Sequence, residues 1–411
     1  MNTVMTRVSP CFIADYGLIC ALGEGKTAVA AALSRWQESG ISPLDTERQP
    51  LSDGRLTPVG RVKGALPSVP QALSAYDSRN NRLLLAALAQ IRPGLDALMA
   101  RLAPDRIAIV LGTSTSGIAE AERAVAAWQG GEGIPAEFDY RQQELGSPSD
   151  FLARHLALTG PAYTLSTACS SSARAFISGQ RLLAAGLADA VIVGGVDSLC
   201  GLTLNGFDSL ESLSLSRCRP FGAERCGINI GEGAALFLLT RERAGLALLG
   251  AGESSDAWHV SAPHPEGLGA EAAMRMALRQ GGVTPGELDY INLHGTATRL
   301  NDEMESLALA RLFGAAQSAP ASSSKMLTGH TLGAAGAIEA AICCLLLARE
   351  MAPPRQGEAQ DPALAPIRLA RGEAPARPLA RVLSNSFAFG GNNVSLLLGR
   401  VPAREEGASH E

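Results

Sequence analysis

The sequence predicts an α/β fold built from two similar halves. Three observations predict it. Short apolar runs that read as buried strands alternate with longer stretches of helical periodicity, which implies strands and helices in layers around a largely parallel sheet. Each half holds a turn of small residues leading into an apolar helix, TACSSSARAF in the first and TGHTLGAAGAIE in the second. The chain has 411 residues, more than the roughly 250–300 at which a single hydrophobic core stops growing.

The elements follow in order. NNRLLLAALAQI (80–91) has helical spacing, and RIAIVLGTS (106–114) reads as a buried strand running into a Gly-rich turn. The helix ARAFISGQRLLAAGL (173–187) leads into the strand ADAVIVGGVDS (188–198). In the second half, LDYINLHG (288–295) is a strand and GAAGAIEAAICCLLLARE (333–350) a long apolar helix. VLSNSFAFGGNNVSLLLG (382–399) gives two strands about a Gly-rich turn. The halves meet near 240–250, in TRERAGLALLG. Spans 129–147 and 352–381 read as surface connections, and the tail VPAREEGASHE as disordered.

Composition narrows the function classes. Hydrophobic residues make up 46% and charged residues 18%, as in a compact globular protein. A net charge of −5 is too mild for a nucleic-acid or anionic-membrane binder. No run of about 18 uncharged apolar residues appears, so no membrane span is expected. The first residues carry Asp15 and no long apolar stretch, so no signal peptide is expected. Eight cysteines are scattered without a CxxC or zinc-type spacing. They suit reduced thiols in a cytoplasm, and no metal site is expected. Only three basic residues are lysines, Lys26, Lys63 and Lys325. Each is worth a question, because Lys can lose its proton and Arg cannot.

Four segments can carry chemistry. In TLSTACSSSA (164–173), Cys169 stands just before a helical pattern. A helix start presents free amides and a positive dipole end, and both favour thiolate. A small buried hydrophobe would fit the same place. In INLHGTATRLND (291–302), His294 ends an apolar strand and Thr296 and Thr298 follow it. Strand ends are where α/β sheets place their sites, although a capped turn with a satisfied histidine fits too. In SSSKMLTGHTLGAAGAIEA (322–340), Lys325 and His330 precede an apolar helix that carries Glu339. In SFAFGGNN (386–393), the turn after Phe389 can aim backbone N–H groups into a cavity, as an oxyanion hole requires. ALGEGKTAV (21–29) imitates a P-loop, but the required first glycine is Cys20.

Together these segments resemble the β-ketoacyl-acyl carrier protein synthases, condensing enzymes of the thiolase superfamily. YGLICALGEG (16–25), TACSSSA, CRPFGAERCGINIGEGAA (218–235), SSDAWHVSAP (254–263), HGTATRLND, SKMLTGHTLGAAGAIEA and NSFAFGGNN match its motifs in order over nearly the whole chain. The resemblance implies a thiolase-like fold, two pseudo-duplicated βαβαβ halves packed as layered α/β/α/β/α. It implies an N-terminal half at 1–245 with the nucleophile, a C-terminal half at 246–400 with both histidines, and a tail at 401–411.

Two histidines and no second C-terminal cysteine fit the elongating Cys-His-His class. For that class, the resemblance implies that Cys169 takes an acyl group from acyl carrier protein. His294 and His330 would receive the enolate charge as malonyl-acyl carrier protein loses CO2. Lys325 and Glu339 would orient His330, Phe389 would supply an oxyanion N–H and gate the acyl pocket, and Asp302 would have a structural role. Thr296 and Thr298 would bind the phosphopantetheine arm. That arm belongs to the carrier, so no cofactor of the chain's own is implied. A homodimer or a heterodimer with a related subunit is expected. A non-catalytic partner that sets chain length is the alternative, and a stand-alone malonyl decarboxylase a further one. The chain departs from the family pattern at Cys226, Ile228, Ala297 and Ala388. These departures bear on pocket shape and substrate, and leave the nucleophile and histidines in place.

Overall fold

The computed structural model describes residues 11–314 and 319–402, so the tail from 403 onward lies outside the described residues. The first half contributes β1 (Cys11–Cys20), β2 (Ile107–Gly112), β3 (Ala162–Leu165), β4 (Ala190–Asp197) and β5 (Gly233–Thr240). The second contributes β6 (Leu246–Ser255), β7 (Tyr290–Asn292), β8 (Ala321–Ser322), β9 (Arg381–Ala388) and β10 (Asn392–Arg400). Their spatial order is β3-β2-β4-β5-β1 and then β6-β10-β9-β7-β8. Read from its outer edge, each half therefore places its third, second, fourth, fifth and first strands in turn. The two-fold echo of the sequence is a two-fold repeat of topology.

The sheet is less parallel than expected. Only the outer three strands of each half run parallel: β3, β2 and β4, and β8, β7 and β9. The inner contacts β4–β5, β5–β1, β9–β10 and β10–β6 are antiparallel. The halves join where β1 pairs antiparallel with β6, through Cys11–Leu248, Phe12–Ala247 and Ile13–Leu246. Strands β2 and β4 are buried along their whole length, which explains their unbroken apolar runs.

Four helices mark the layers. Helix α1 (Arg79–Met99), capped by the Ser78 hydroxyl, covers β1, β4 and β5 from outside. Helix α2 (Ser171–Ala184) packs on β2 and β4 from the inner side. Helix α3 (Leu268–Gly281) covers β6 and β10 from outside. Helix α4 (Ala335–Arg349) lies inside against α2, β9 and β10. The result is the α/β/α/β/α stack. The inner pair is stitched together, because the Ala337 N–H donates to the Ser172 Oγ at 2.9 Å.

Every residue of α4 from Ala335 to Leu347 is buried, which is why its sequence is apolar on all sides apart from Glu339, which has a buried partner in Lys325. The segment Leu332–Arg349 is long and apolar enough to cross a membrane, but 89% of it is buried inside the protein, as befits a core helix. The connection 352–381 is not simply surface. Leu364, Ile367 and Leu379 are buried in it, and Gln356 Oε1 accepts the Ser323 N–H at 2.9 Å. This stretch closes the apolar cluster beneath the second half's sheet.

Candidate active site

The fold brings the four sequence segments to one cavity. The turn before α2 is tied by its own hydroxyls. Ser171 Oγ donates to the Ala168 carbonyl at 2.6 Å and accepts the Thr167 N–H at 2.9 Å, and Ser170 Oγ donates to the Thr167 carbonyl at 2.9 Å. That network holds Ala168 at φ +52°, a left-handed conformation a non-glycine residue rarely adopts. The strained turn lifts Cys169 off the strand end, ahead of the helix start at Ser171. Gly112 makes room for it. A Cβ there would lie 2.3 Å from the Ser172 nitrogen, so only glycine lets α2 seat on the end of β2.

His330 comes from the other half. Its N–H donates to the Asn229 carbonyl at 2.6 Å, and its carbonyl accepts the Gly231 N–H at 2.9 Å. These bonds pin the TGHT turn against residues 229–231. A Cβ on Gly231 would lie 2.2 Å from the Thr328 carbonyl oxygen, so the contact requires glycine. The ring meets the thiol directly, with His330 Nε2 3.0 Å from Cys169 Sγ. The Leu332 N–H donates to His330 Nδ1 at 3.2 Å. That bond occupies the Nδ1 lone pair and assigns the proton of the neutral ring to Nε2, pointing at sulfur.

His294 lies beside it, the ring centroids 5.5 Å apart at 84°. It stands at the end of β7, and its backbone is gripped by two charged groups. Glu305 accepts the His294 and Gly295 N–H groups at 2.9 and 2.8 Å. Lys325 Nζ donates to the His294 carbonyl at 2.6 Å and to the Glu339 carboxylate. Lys325 and Glu339 are 1–2% exposed, a fully buried ion pair. The pair therefore fixes the His294 backbone, where the resemblance had it orienting His330. Lys325 acts on both rings through its charge. Burial first, and Lys325 second, hold His294 and His330 well below the ordinary histidine range, so both rings are neutral.

The other expected residues have distinct places. Phe389 forms the turn between β9 and β10, with Gly390 at φ +79°, and its ring meets Phe207 at 5.6 Å. Its backbone N–H faces the Cys169 sulfur and favours the thiolate. Thr296 and Thr298 share a hydroxyl contact of 2.9 Å and line the cavity. Asp302 touches none of the reacting groups. Its carboxyl accepts the Phe221 N–H at 2.7 Å and the Ala297 N–H at 3.3 Å, holding the HGTAT turn against 218–221. Burial pushes Asp302 up to about 7. Glu305 is the residue that sequence reasoning missed. Its one signal is the i, i+3 spacing from Asp302, which puts both carboxylates on one face of the helix Arg299–Phe313.

Cys169, His294 and His330 share a cavity of about 510 Å³, walled also by Phe207, Ile228 and Phe389. The thiol is not depressed, as its place by the helix start had suggested. Burial pushes it up to about 11, and Lys325 and the Phe389 and Cys169 N–H groups offset only part of that. Iodoacetamide alkylation of Cys169 is therefore expected to rise roughly tenfold per pH unit below that value, because the thiolate is the reactive form. Mass spectrometry of Cys169 peptides would detect a contrary plateau near neutral pH. One ligand atom from each of Cys169, His294 and His330 lies within 4.8 Å of the others, a spacing a metal ion could span. The proton on His330 Nε2 argues against ligation there, since a metal-bound histidine donates from its far nitrogen and this one accepts.

The comparisons with known proteins agree with this geometry. Residues 17–244 match the family model for the beta-ketoacyl synthase N-terminal domain, and residues 247–357 that for the C-terminal domain. A solved structure of a ketosynthase in complex with its chain length factor, from Xenorhabdus doucetiae, matches with 51% identity and TM-score 0.91, over 95% of this chain and 98% of that one. A beta-ketoacyl synthase from Burkholderia phymatum matches with 28% identity and TM-score 0.83, over 96% and 100%. The 3-oxoacyl-[acyl-carrier-protein] synthase 2 of Rhizobium meliloti is 39% identical over 260 residues, 59% of this chain and 62% of that protein. The match thus spans less than two thirds of that relative's length. With both domain models matched in order across a cavity that gathers one thiol and two neutral imidazoles, the chain belongs to the beta-ketoacyl synthase family.

Proposed function

We propose that the chain catalyses decarboxylative Claisen condensation of an acyl group with malonyl-acyl carrier protein. The 3.0 Å contact between Cys169 Sγ and His330 Nε2, beside neutral His294, carries this reading. In the first stage the Cys169 sulfur attacks the acyl thioester, and the backbone N–H groups of Cys169 and Phe389 hold the oxyanion. A new C–S bond forms and the carrier's sulfur leaves with the thiol proton, so one thioester replaces another. In the second stage malonyl carrier loses CO2. The enolate oxygen takes hydrogen bonds from His330 Nε2 and from His294, whose Nδ1 is buried without a partner. The enolate carbon attacks the acyl-Cys169 carbonyl, and the released sulfur takes up a proton. The product is a β-ketoacyl carrier, and no cofactor held by the chain enters the scheme. Two fixed neutral donors act where charge develops, so they favour the transition state over the ground state.

We also infer a related chain as partner. Strand β3 ends the sheet with one edge unpaired, a template for a second chain, and the solved relative from Xenorhabdus is a complex. Within such a pair the non-catalytic alternative is disfavoured, because Cys169, His294 and His330 are all present and in contact range. Eight free thiols, seven of them buried, support a reducing cytoplasm.

The test is intact-mass analysis of the protein, alone and with its partner, against a panel of acyl carrier thioesters, followed by malonyl carrier. An acyl mass on Cys169 that then leaves as a β-ketoacyl carrier is the expected outcome. No acyl mass under either condition would sink the reading.

A further inference from the structure

Arg299 follows directly on the threonine pair and stands exposed at the rim of the catalytic cavity, beside Leu300 and Asn301. Elsewhere arginines are commonly tied to carboxylates: Arg79 to Glu232, Arg225 to Asp361, Arg311 to Glu271. Arg299 has no ion pair, hydrogen bond or ring contact among the described residues. Glu211 lines the same cavity but forms no ion pair with it. A cation without an ion pair thus lies exposed on the lining of a cavity in which Cys169 is buried.

We propose that Arg299 binds the phosphodiester of the carrier's phosphopantetheine arm. This rests on the reading of the cavity as the site of condensation. The arm has its thioester at one end and a phosphodiester at the other. When the thioester reaches Cys169, the phosphodiester is left toward the rim. A guanidinium presents a planar fork of donors that matches phosphate oxygens in pairs, which Lys does not. The two hydroxyls of Thr296 and Thr298 then face the neutral amide part of the arm, and the charge meets charge only at the rim. The cation is solvent-exposed, so the contact has a modest effect, a matter of about fivefold at most rather than thousands.

The experiment compares two small acyl thioesters, one of 4′-phosphopantetheine and one of pantetheine without the phosphate. The kcat/KM for acylation of Cys169 by each of these, and by the same acyl group on acyl carrier protein, is measured for wild type, Arg299→Ala and Arg299→Lys. Wild type is expected to favour the phosphorylated substrate about three- to fivefold. In Arg299→Ala that ratio falls to about one, chiefly through KM, and Arg299→Lys recovers part of it. An unchanged ratio in Arg299→Ala overturns the proposal. So does an equal loss on both substrates, which marks a structural role. So does a loss confined to carrier-bound substrate, which marks a contact with the carrier's surface carboxylates. If wild type is acylated by neither thioester nor by acyl carrier protein, the condensation reading fails, and the assignment of Arg299 with it.

Discussion

The variant Cys169→Ser is expected to take up no acyl group, with condensation reduced on the order of 10⁴–10⁶-fold, the scale seen when an enzyme's nucleophile is removed. The cause is chemical rather than conformational. Sulfur at this position already needs help to ionise, since burial pushes the thiol up to about 11. A hydroxyl in the same cavity starts from a much higher pKa and meets the same burial. The contacts that hold the turn are made by the hydroxyls of Ser170 and Ser171 and by backbone groups, not by the Cys169 side chain. The fold should persist, with a melting temperature close to wild type. Intact-mass analysis with acyl carrier thioester reads the first point and calorimetry the second. Wild-type levels of acyl-enzyme in the serine variant would show that another group takes the acyl chain.

A second large effect is expected at the buried ion pair. Lys325→Met leaves the Glu339 carboxylate buried with no cation and removes the donor to the His294 carbonyl. Breaking a buried pair by removing one partner costs about 3–5 kcal/mol. The double variant Lys325→Met/Glu339→Leu removes both charges and should recover most of that loss in a urea titration. Activity should not recover with it. Without Lys325 the His294 backbone loses a tether, and the positive charge that adds to burial in lowering both imidazoles and partly offsets burial at Cys169 is gone. The sign follows: both histidine pKa values move up and the thiol moves further up. The alkylation profile of Cys169 in the double variant should shift to higher pH, because losing the lowering effect of Lys325 outweighs losing the smaller raising effect of Glu339. Recovery of activity together with stability would show that the pair serves the fold alone.

Cys169, both histidines, Lys325, Phe389 and the two threonines were legible as residues of one site because each sits in a compact run of small or turn-forming residues that a packed core does not require, and Glu339 because it is a lone carboxylate in an otherwise apolar helix. The layers were legible from unbroken apolar runs such as Ile107–Gly112 and the all-round apolar helix Ala335–Arg349. Pairing direction was not, since an apolar strand looks alike whether its neighbour runs with it or against it. Strand β8 was invisible because Ala321 and Ser322 have no strand propensity and are held there by Tyr290–Asn292. Glu305 was missed because a carboxylate that serves backbone N–H groups leaves no motif of its own. The thiol's protonation was misjudged because the helix start is readable from sequence and the depth of burial is not.

The stitch between Ser172 and Ala337 has a wider meaning. The thiol arrives with one repeat and the imidazoles with the other, so neither repeat alone possesses chemistry. Docking of the two is itself the act that creates the catalyst, and the sulfur–nitrogen gap reports its completion. A modest splaying of the repeats, far short of unfolding, would silence turnover while leaving the strand pairing within each half intact.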